Sequence, residues 1–484
     1  MGMPTAFDRA EARIPAAAVD AALAGAATRP YWLDSPARPA ASAPLSGRHT
    51  ADLAVLGAGY TGLWTALLAK RADPARRVVV LEGGRIGWAA SGRNGGFCED
   101  SLTHGDANGQ RHLPRENGRL IELGRENLAA LLADLDRHGI DADVARSGSI
   151  TAATEEHQVA WLREEADGGA GSGPLFLDRA AMLERIGSPL LLAGLREEGR
   201  TVLVHPAKLA WGLARSCAEA GVEIIEQSPV RSLERGGRGP GVVLRTDAGR
   251  VAADQVALAG NAFPPLLRRL RLHTVPVYDY VLMTEPLDAA QWSSIGWDGG
   301  EGLADAGNRF HYLRPVRDAD GGRRILIGGY DAIYRYGRSL DPAHLQHPAS
   351  FRRLAAHFLA FFPQLEGVRF SHQWGGAIDT CSRFFPFFET AHGGRTAYAA
   401  GFTGLGVGAS RFAARVMLDL LGGAPTELTG LELVRRKPLP FPPEPGAWLG
   451  VQAMTAALVA SDRNGGRRGP FLQAMDAIGM GFDS

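Results

Sequence analysis

Residues 52–97 read DLAVLGAGYTGLWTALLAKRADPARRVVVLEGGRIGWAASGRNGGF. The stretch opens on Leu53-Ala54-Val55-Leu56, a short apolar run of the kind that forms a fully buried parallel strand. Gly57-Ala58-Gly59-Tyr60-Thr61-Gly62 follows, then a helix-forming segment, residues 63–70, without Gly or Pro. A second apolar run, residues 78–81, ends on the acid Glu82. Strand, GxGxxG, helix, strand and terminal acid in this order make a dinucleotide-binding βαβ unit. The first glycine permits a tight turn, the second lets the backbone approach a pyrophosphate, and the third lets helix and strand pack closely. The helix N-terminus offers free N–H groups and its positive dipole end to phosphate. Glu82 stands where a carboxylate accepts hydrogen bonds from a ribose 2′-OH, which disfavours a 2′-phosphate and leaves FAD or NAD.

The remaining composition narrows the class. The chain has 484 residues, with 52 Lys+Arg against 52 Asp+Glu, so no net basic field points to nucleic acid or an anionic membrane. That length accommodates two domains with sizeable cores. No apolar run approaches a membrane span, and the charged residues Asp8, Arg9, Glu11 and Arg13 are unlike a signal peptide. Cys98, Cys217 and Cys381 are scattered, without disulfide or metal-ligand spacing; a cytoplasmic protein with no metal site is expected.

Along the chain, residues 1–50 read as one Ala-rich helix (16–26), an aromatic Tyr31-Trp32-Leu33 and a Pro/Ala/Ser linker. Residues 117–138 form an amphipathic helix with Leu120, Ile121, Leu123, Leu128, Leu131, Leu132 and Leu135 on its buried side, stopped by Gly139. Gly168-Gly169-Ala170-Gly171-Ser172-Gly173 is a connecting loop. A helix starts at His205-Pro206, and residues 222–225, 242–246, 250–253 and 255–261 are strands, the last ending in the small-residue turn Ala259-Gly260. From Val275 the pattern alternates, with Tyr278, Tyr280 and Leu282 on one face and Val277, Asp279 and Val281 on the other, as in an antiparallel sheet. Residues 397–421 repeat the strand, glycine turn and helix order through Gly401-Phe402-Thr403-Gly404-Leu405-Gly406. A second helix N-terminus aimed at the ligand suits a reduced flavin, where negative charge develops on the pyrimidine ring. A nicotinamide has no such need. The expected fold is α/β: a Rossmann-like nucleotide domain from residues 51–115, 200–265 and 370–425, and a mostly antiparallel-sheet substrate domain from 116–199 and 266–369. Residues 1–50 form an N-terminal appendage, and 426–484 a proline strap and helical tail.

With these segments in place the chain resembles FAD-dependent oxidoreductases of the D-amino-acid-oxidase superfamily, and within it the bacterial γ-glutamylputrescine-oxidase-like branch. The specific matches are Ala90-Ser91-Gly92-Arg93-Asn94-Gly95-Gly96, Trp374-Gly375-Gly376 followed by Asp379, and the 401–407 block ending on Val407. The resemblance implies a two-domain flavoenzyme with non-covalent FAD. FAD would be held by Gly57, Ala58, Gly59, Tyr60, Thr61, Gly62, Glu82, Gly83 and Arg85, and along the flavin by Ala90, Ser91, Arg93, Asn94, Gly95 and Gly96. Backbone near Val230, Ala259 and Gly260 would meet adenine and its neighbours, with Gly375, Gly401, Phe402, Thr403, Gly404, Leu405, Gly406 and Val407 at the ring. It further implies oxidation of a small amine or amino-acid-like substrate to an imine by hydride transfer, with oxygen or another electron acceptor as partner; a hydroxy acid donor or a non-catalytic flavoprotein are the alternatives. Tyr278, Tyr280, His311, Tyr330 and Arg383 are the candidate substrate residues; His311 reads as a locally satisfied histidine more readily than as a base, and Arg383 either binds a substrate carboxylate or pairs with a nearby acid. Two departures stand out. The lysine that activates oxygen in monomeric sarcosine oxidases has no counterpart at Leu326-Ile327-Gly328, and Cys381 is out of register for a covalent flavin link.

Overall fold

The computed structural model describes residues 2–168, 173–236 and 241–480; most of the glycine loop 168–173 falls outside them. Two sheets organise the chain. In the first, the strand Gly47–Leu56 is central, with Val78–Leu81 and Glu223–Ile225 stacked on one side and Gly249–Leu258 and Thr396–Ala400 on the other, all parallel. Phe387–Ala391 closes one edge antiparallel. Helices cover one face, and the strands Ser232–Arg235 and Val242–Arg245 with Leu267 and Leu270 cover the other, which is why Leu53, Ala54 and Val55 are fully buried and the run reads as continuously apolar rather than alternating. Residues 250–261, which the sequence divides into two strands, are one ten-residue strand ending at Leu258, paired antiparallel with Val242–Arg245.

The fingerprint helix, Tyr60–Ala72, starts directly after Gly59 and packs against Gly406–Gly422 and Pro206–Glu219. His205 caps the last of these: its Nδ1 accepts from the Lys208 N–H at 3.2 Å, and Pro206 occupies the first turn, where its missing N–H costs nothing. The helix Asn117–Arg137 buries Leu120, Leu123, Leu128, Leu131, Leu132 and Leu135 in the core shared by these helices. Each such leucine contributes roughly 1.5–3 kcal/mol. That corrects its expected place in the substrate domain: its leucine stripe belongs to the nucleotide side.

The second sheet runs Ile333–Tyr334, Val275–Thr284, Arg323–Gly329, His311–Arg317, Gly302–Asp305, Ser149–Ala153, Ala193–Glu197 and Leu175–Leu177. It is antiparallel except where Gly302–Asp305 runs parallel to Ser149–Ala153. Phe370–Thr380, expected with the nucleotide domain, is instead hydrogen-bonded along Val275–Thr284, from Val275 opposite Thr380 to Thr284 opposite Phe370. Residues 370–380 thus belong to the second sheet, and only 387–422 return to the first. The helix Pro348–Phe361 backs this sheet with Phe351, Leu354, Phe358 and Phe361.

The N-terminal segment is a fastener. An unanticipated helix, Ala6–Arg13, begins with a Thr5–Asp8 capping box and buries Phe7 in the second sheet's core. Trp32, 1 % exposed, packs between the two sheets with Trp211, Val281 and Trp374, not on the nucleotide domain alone. Beyond residue 435 the extended strap leads into the helices Gly446–Asp462 and Pro470–Ala477. Among the described residues no helix is long and apolar enough to cross a membrane, and no group of three or more His, Cys, Asp or Glu could hold a metal ion.

Candidate active site

A cavity of about 1580 Å³ opens where the carboxyl ends of the parallel strands meet the second sheet. It exceeds the roughly 300–1,000 Å³ of an ordinary small-molecule pocket, as a site for a dinucleotide and a substrate together must. Its nucleotide end is built by close approach. Gly57 has φ +98°, and a Cβ there would stand 2.6 Å from the Ala259 carbonyl oxygen. A Cβ at Gly62 would stand 1.8 Å from the Gly57 carbonyl oxygen, so helix and turn meet only because Gly62 has no side chain. Gly59, Tyr60, Thr61, Glu82, Gly83, Val230, Ala259 and Gly260 line the wall.

Glu82 is fixed before any ligand arrives. Its Oε2 accepts from the Ala58 N–H at 2.7 Å, and its Oε1 from the Gly84 N–H at 2.7 Å and the Trp88 indole at 2.8 Å. Burial nevertheless raises its pKa above the usual carboxylate range, the three donors opposing that shift. Ala58 thus shapes the site through Glu82 rather than by lining it, and Gly62 acts from behind the turn. Arg85 departs from expectation: its Nε lies 3.2 Å from the buried Glu226, clear of the cavity wall.

The loop of residues 88–96 forms one side of the cavity and is held from both sheets. Asn94 Oδ1 accepts the Gly96 N–H at 2.9 Å while its amide donates to the Ala90 and Ser91 carbonyls. The indoles of Trp374 and Trp32 donate to the Arg93 and Asn94 carbonyls, each at 2.9 Å. Arg93 donates to the carbonyls of Trp88 and Gly375, both at 2.9 Å. Burial without an acid partner lowers its pKa to about 10. Ala90, Ser91, Arg93, Asn94, Gly95 and Gly96 all face the cavity, whereas Gly375 only braces Arg93, its neighbour Gly376 reaching the wall.

Opposite lies the N-terminus of the 17-residue helix Gly406–Gly422. Phe402, Thr403, Gly404, Leu405, Gly406 and Val407 line the cavity; Gly401 stays behind, donating its N–H to Asp379 Oδ2 at 2.6 Å. Asp379, which accepts the Phe402 N–H as well, is buried and its pKa rises to about 7. Five of the nine described non-glycine residues with positive φ line this cavity: His104, Asn261, Tyr330, Phe384 and Thr403. Such concentration of backbone strain is typical of ligand sites.

At the far end the expected substrate residues divide. Tyr330 lines the cavity, its ring stacked on His311 at 4.8 Å on one side and under the Arg309 guanidinium at 3.8 Å on the other. Tyr278 and Tyr280 do not reach it. They occupy the opposite face of their strand, against the helix Pro348–Phe361, and their hydroxyls donate to the Ser339 and His344 carbonyls. His311 is fully buried, its Nδ1 2.6 Å from Asp305 Oδ2 and its Nε2 2.8 Å from His357 Nδ1, so it supports Tyr330 rather than touching a ligand. Arg383 is likewise buried, spending its donors on the Arg436, Pro386 and Leu433 carbonyls, which fasten the strap to the nucleotide domain. It has no free face for a carboxylate. Cys381 is fully buried with its thiol toward the Phe385 and Gly401 carbonyls, and burial raises its pKa.

Among the residues that do face the cavity from this sheet are Val277, Asp279, Val281 and Tyr312. Tyr312 Oη donates to Asp279 Oδ2 at 2.5 Å, and Asp279 Oδ1 accepts the N–H groups of Tyr280 at 2.7 Å and Gly329 at 3.1 Å. Burial raises Asp279 to about 6, the Tyr312 hydroxyl and the two N–H groups restraining the rise. The Tyr312 ring fits only because Gly95 and Gly328 lack side chains, where a Cβ would meet it at 2.7 and 2.4 Å. The sequence does not single out this pair, because a strand's period shows that two faces exist, not which one looks at the ligand. A lone acid in an apolar alternation was the available signal.

A parallel-sheet nucleotide domain, a glycine cradle at the carboxyl end of its central strand and a second sheet closing over the cavity define a two-domain flavoprotein. Residues 52–420 match the family model described as FAD dependent oxidoreductase, the DAO family, and the chain belongs to that family. It is therefore an FAD-dependent oxidoreductase. The chain is 28 % identical over 419 residues to the probable oxidoreductase OrdL of Haemophilus influenzae, covering 84 % of this chain and 90 % of that one. It is 29 % identical over 407 residues to the γ-glutamylputrescine oxidoreductase of Escherichia coli, covering 82 % and 89 %. Glycine oxidase from Geobacillus kaustophilus shares the fold with a TM-score of 0.62 at 22 % identity, over 80 % of this chain and 99 % of that one.

Proposed function

We propose that the enzyme oxidises a small amine to an imine, using non-covalently bound FAD, and that Asp279 is the residue that meets the amine. When bound, FAD supplies a two-electron acceptor for the C–H bond next to nitrogen. In this reading the chain holds it by the Gly57–Gly62 turn, by Glu82 at the ribose, and by the N-terminus of the helix Gly406–Gly422 at the end of the cavity that carries Asp379. Cys381 faces backbone carbonyls away from the cavity, which supports a non-covalent cofactor.

Asp279 carries the proposal. An ammonium entering the cavity meets a carboxylate already positioned by two N–H groups and the Tyr312 hydroxyl. A substrate amine must lose its proton before a hydride can leave the adjacent carbon, because a full positive charge on nitrogen opposes the developing iminium. Asp279 is placed to hold the cation on entry and to take up that proton, and Tyr312 keeps the carboxylate turned toward the cavity. Loss of that proton from the ammonium and then of a hydride from carbon leaves an iminium cation, which gives up a second proton to water as the imine; water then splits the imine into a carbonyl compound and ammonia or an amine. The relatives support an amine substrate by name: one is a γ-glutamylputrescine oxidoreductase, another the β subunit of a sarcosine oxidase from Rhodobacter capsulatus.

An anaerobic titration of the purified yellow protein with primary, secondary and N-methyl amines tests this. Bleaching of the flavin band by amines, and not by hydroxy acids of matched size, is expected. Bleaching by hydroxy acids alone would overturn it. Readmitting air then reads the acceptor: no lysine is among the described residues that line the cavity, so slow reoxidation by oxygen is expected.

A further inference from the structure

The helix Gly446–Asp462 lies beyond the residues matched by the family model and forms a roof over the substrate end of the cavity. Ala447, Val451, Met454, Leu458 and Val459 line the cavity, together with Gly446, Gly450, Gln452 and Thr455. Their spacing of three and four residues places them on one side of the helix, running along about 12 Å of it between Val451 and Val459. The helix carries no charged residue before Asp462.

Both ends of this roof are fastened. Ala447 is buried against Val275 and Tyr334. At the other end Asp462 Oδ1 accepts the Asn308 N–H at 3.1 Å and its side-chain amide at 2.6 Å, and Arg463 pairs with Asp8 at 2.7 Å. Between the fastenings the cavity-facing side chains Val451, Met454, Leu458 and Val459 are only half-buried, Val451 also packing against the Val275, Tyr334 and Ala447 cluster. The floor they face is also apolar, formed by Val275, Val277, Ile333 and Ala377. A space walled above and below by aliphatic side chains gives water few hydrogen-bond partners and gains free energy when an apolar group fills it. The polar groups lie at two places instead: Asp279 and Tyr312 at the inner end, and Asn308 and Arg309 beside Val459 and Asp462 at the far end of the roof.

We infer that the amine this enzyme oxidises carries an apolar tail, alkyl or aryl, which lies beneath the helix Gly446–Asp462 while the nitrogen meets Asp279. The inference rests on the amine reading above and departs from a polar polyamine conjugate such as γ-glutamylputrescine. The tail supplies binding energy and displaces water from the space beside the reacting carbon, and the roof selects against a second charge at the tail's end.

The test is the rate of anaerobic flavin reduction by the full-length holoenzyme with primary n-alkylamines from propylamine to octylamine. The matched α,ω-diamines and γ-glutamylputrescine are measured beside them. kcat/KM is expected to rise about three- to fourfold per methylene, the effect of burying one CH₂. Each diamine is expected to fall at least tenfold below the monoamine of equal length. Leu458→Gln, with flavin content checked as the measure of folding, is expected to flatten the chain-length slope. Reduction by amines with a flat or falling slope, or with the diamines and γ-glutamylputrescine preferred, overturns the apolar tail and leaves the amine reading standing. Reduction by no amine of any length overturns both.

Discussion

Asp279→Asn separates the charge at the cavity wall from the scaffold that holds it. The amide oxygen can still accept the N–H groups of Tyr280 and Gly329, and the Tyr312 hydroxyl can turn to accept from the new NH₂. The fold should persist while the anion is lost. A hydrogen bond to a charged group contributes about 1.5–3 kcal/mol, so kcat/KM for an amine should fall about 10- to 150-fold. The wild-type value should also decline on the acid side as pH drops through about 6, where Asp279 takes up a proton; the Asn variant should lack that limb. Stability has a matching signature in apoprotein. Asp279 is raised from 3.8 to about 6, so the folded chain binds its proton more tightly than the unfolded chain does. That costs nothing below pH 3.8 and is complete above pH 6, at about 3 kcal/mol for a shift of this size. Asp279→Asn apoprotein should therefore gain in Tm over wild type at pH 8 and lose that advantage near pH 4. The assay is stopped-flow flavin reduction across pH 5–9, with thermal melts of apoprotein at both extremes. A variant within twofold of wild type that keeps the acid limb would refute the assignment.

Three further outcomes follow from the geometry. Gly59→Val should yield folded but colourless protein, because a Cβ at Gly59 already stands 3.0 Å from Ser91 Oγ and two more methyls would fill the phosphate end of the cavity; a full flavin complement in the absorption spectrum would contradict the placement. Cys381→Ser should leave flavin content unchanged, and acid precipitation of wild type should release all the flavin into the supernatant; colour retained in the pellet would show a covalent link. Arg383→Ala should lower Tm by several degrees, since the buried carbonyls of Arg436, Pro386 and Leu433 lose their donor and each uncompensated group costs about 1–3 kcal/mol. Its kcat per bound flavin should match wild type, whereas a kcat collapse in stably folded variant would restore Arg383 to the substrate site.

Residues 52–97 determine the nucleotide end almost unaided. Its chemistry is local: three glycines within six residues, a helix start and an acid at a strand end lie close enough in sequence for turn geometry to relate them. The same holds for the block 401–407, whose helix start is set by its own glycines. The substrate end was decided by tertiary structure. Residues 275–284 announce two alternating faces, but both carry apolar side chains, and which one met the ligand depended on where the helix Pro348–Phe361 packed. That helix took Tyr278 and Tyr280, leaving Asp279 to the cavity. His311 and Arg383 look equally chemical in sequence, and burial removed them by giving every polar atom named above a partner in the protein. Residues 370–380 switched sheets because backbone pairing with Val275–Thr284 is a long-range choice that no local pattern encodes. The roof helix has no charged face before Asp462, so its sequence does not say which side covers what. Only its fastening at Val275, Tyr334 and Asn308 turns that apolar surface over the active site.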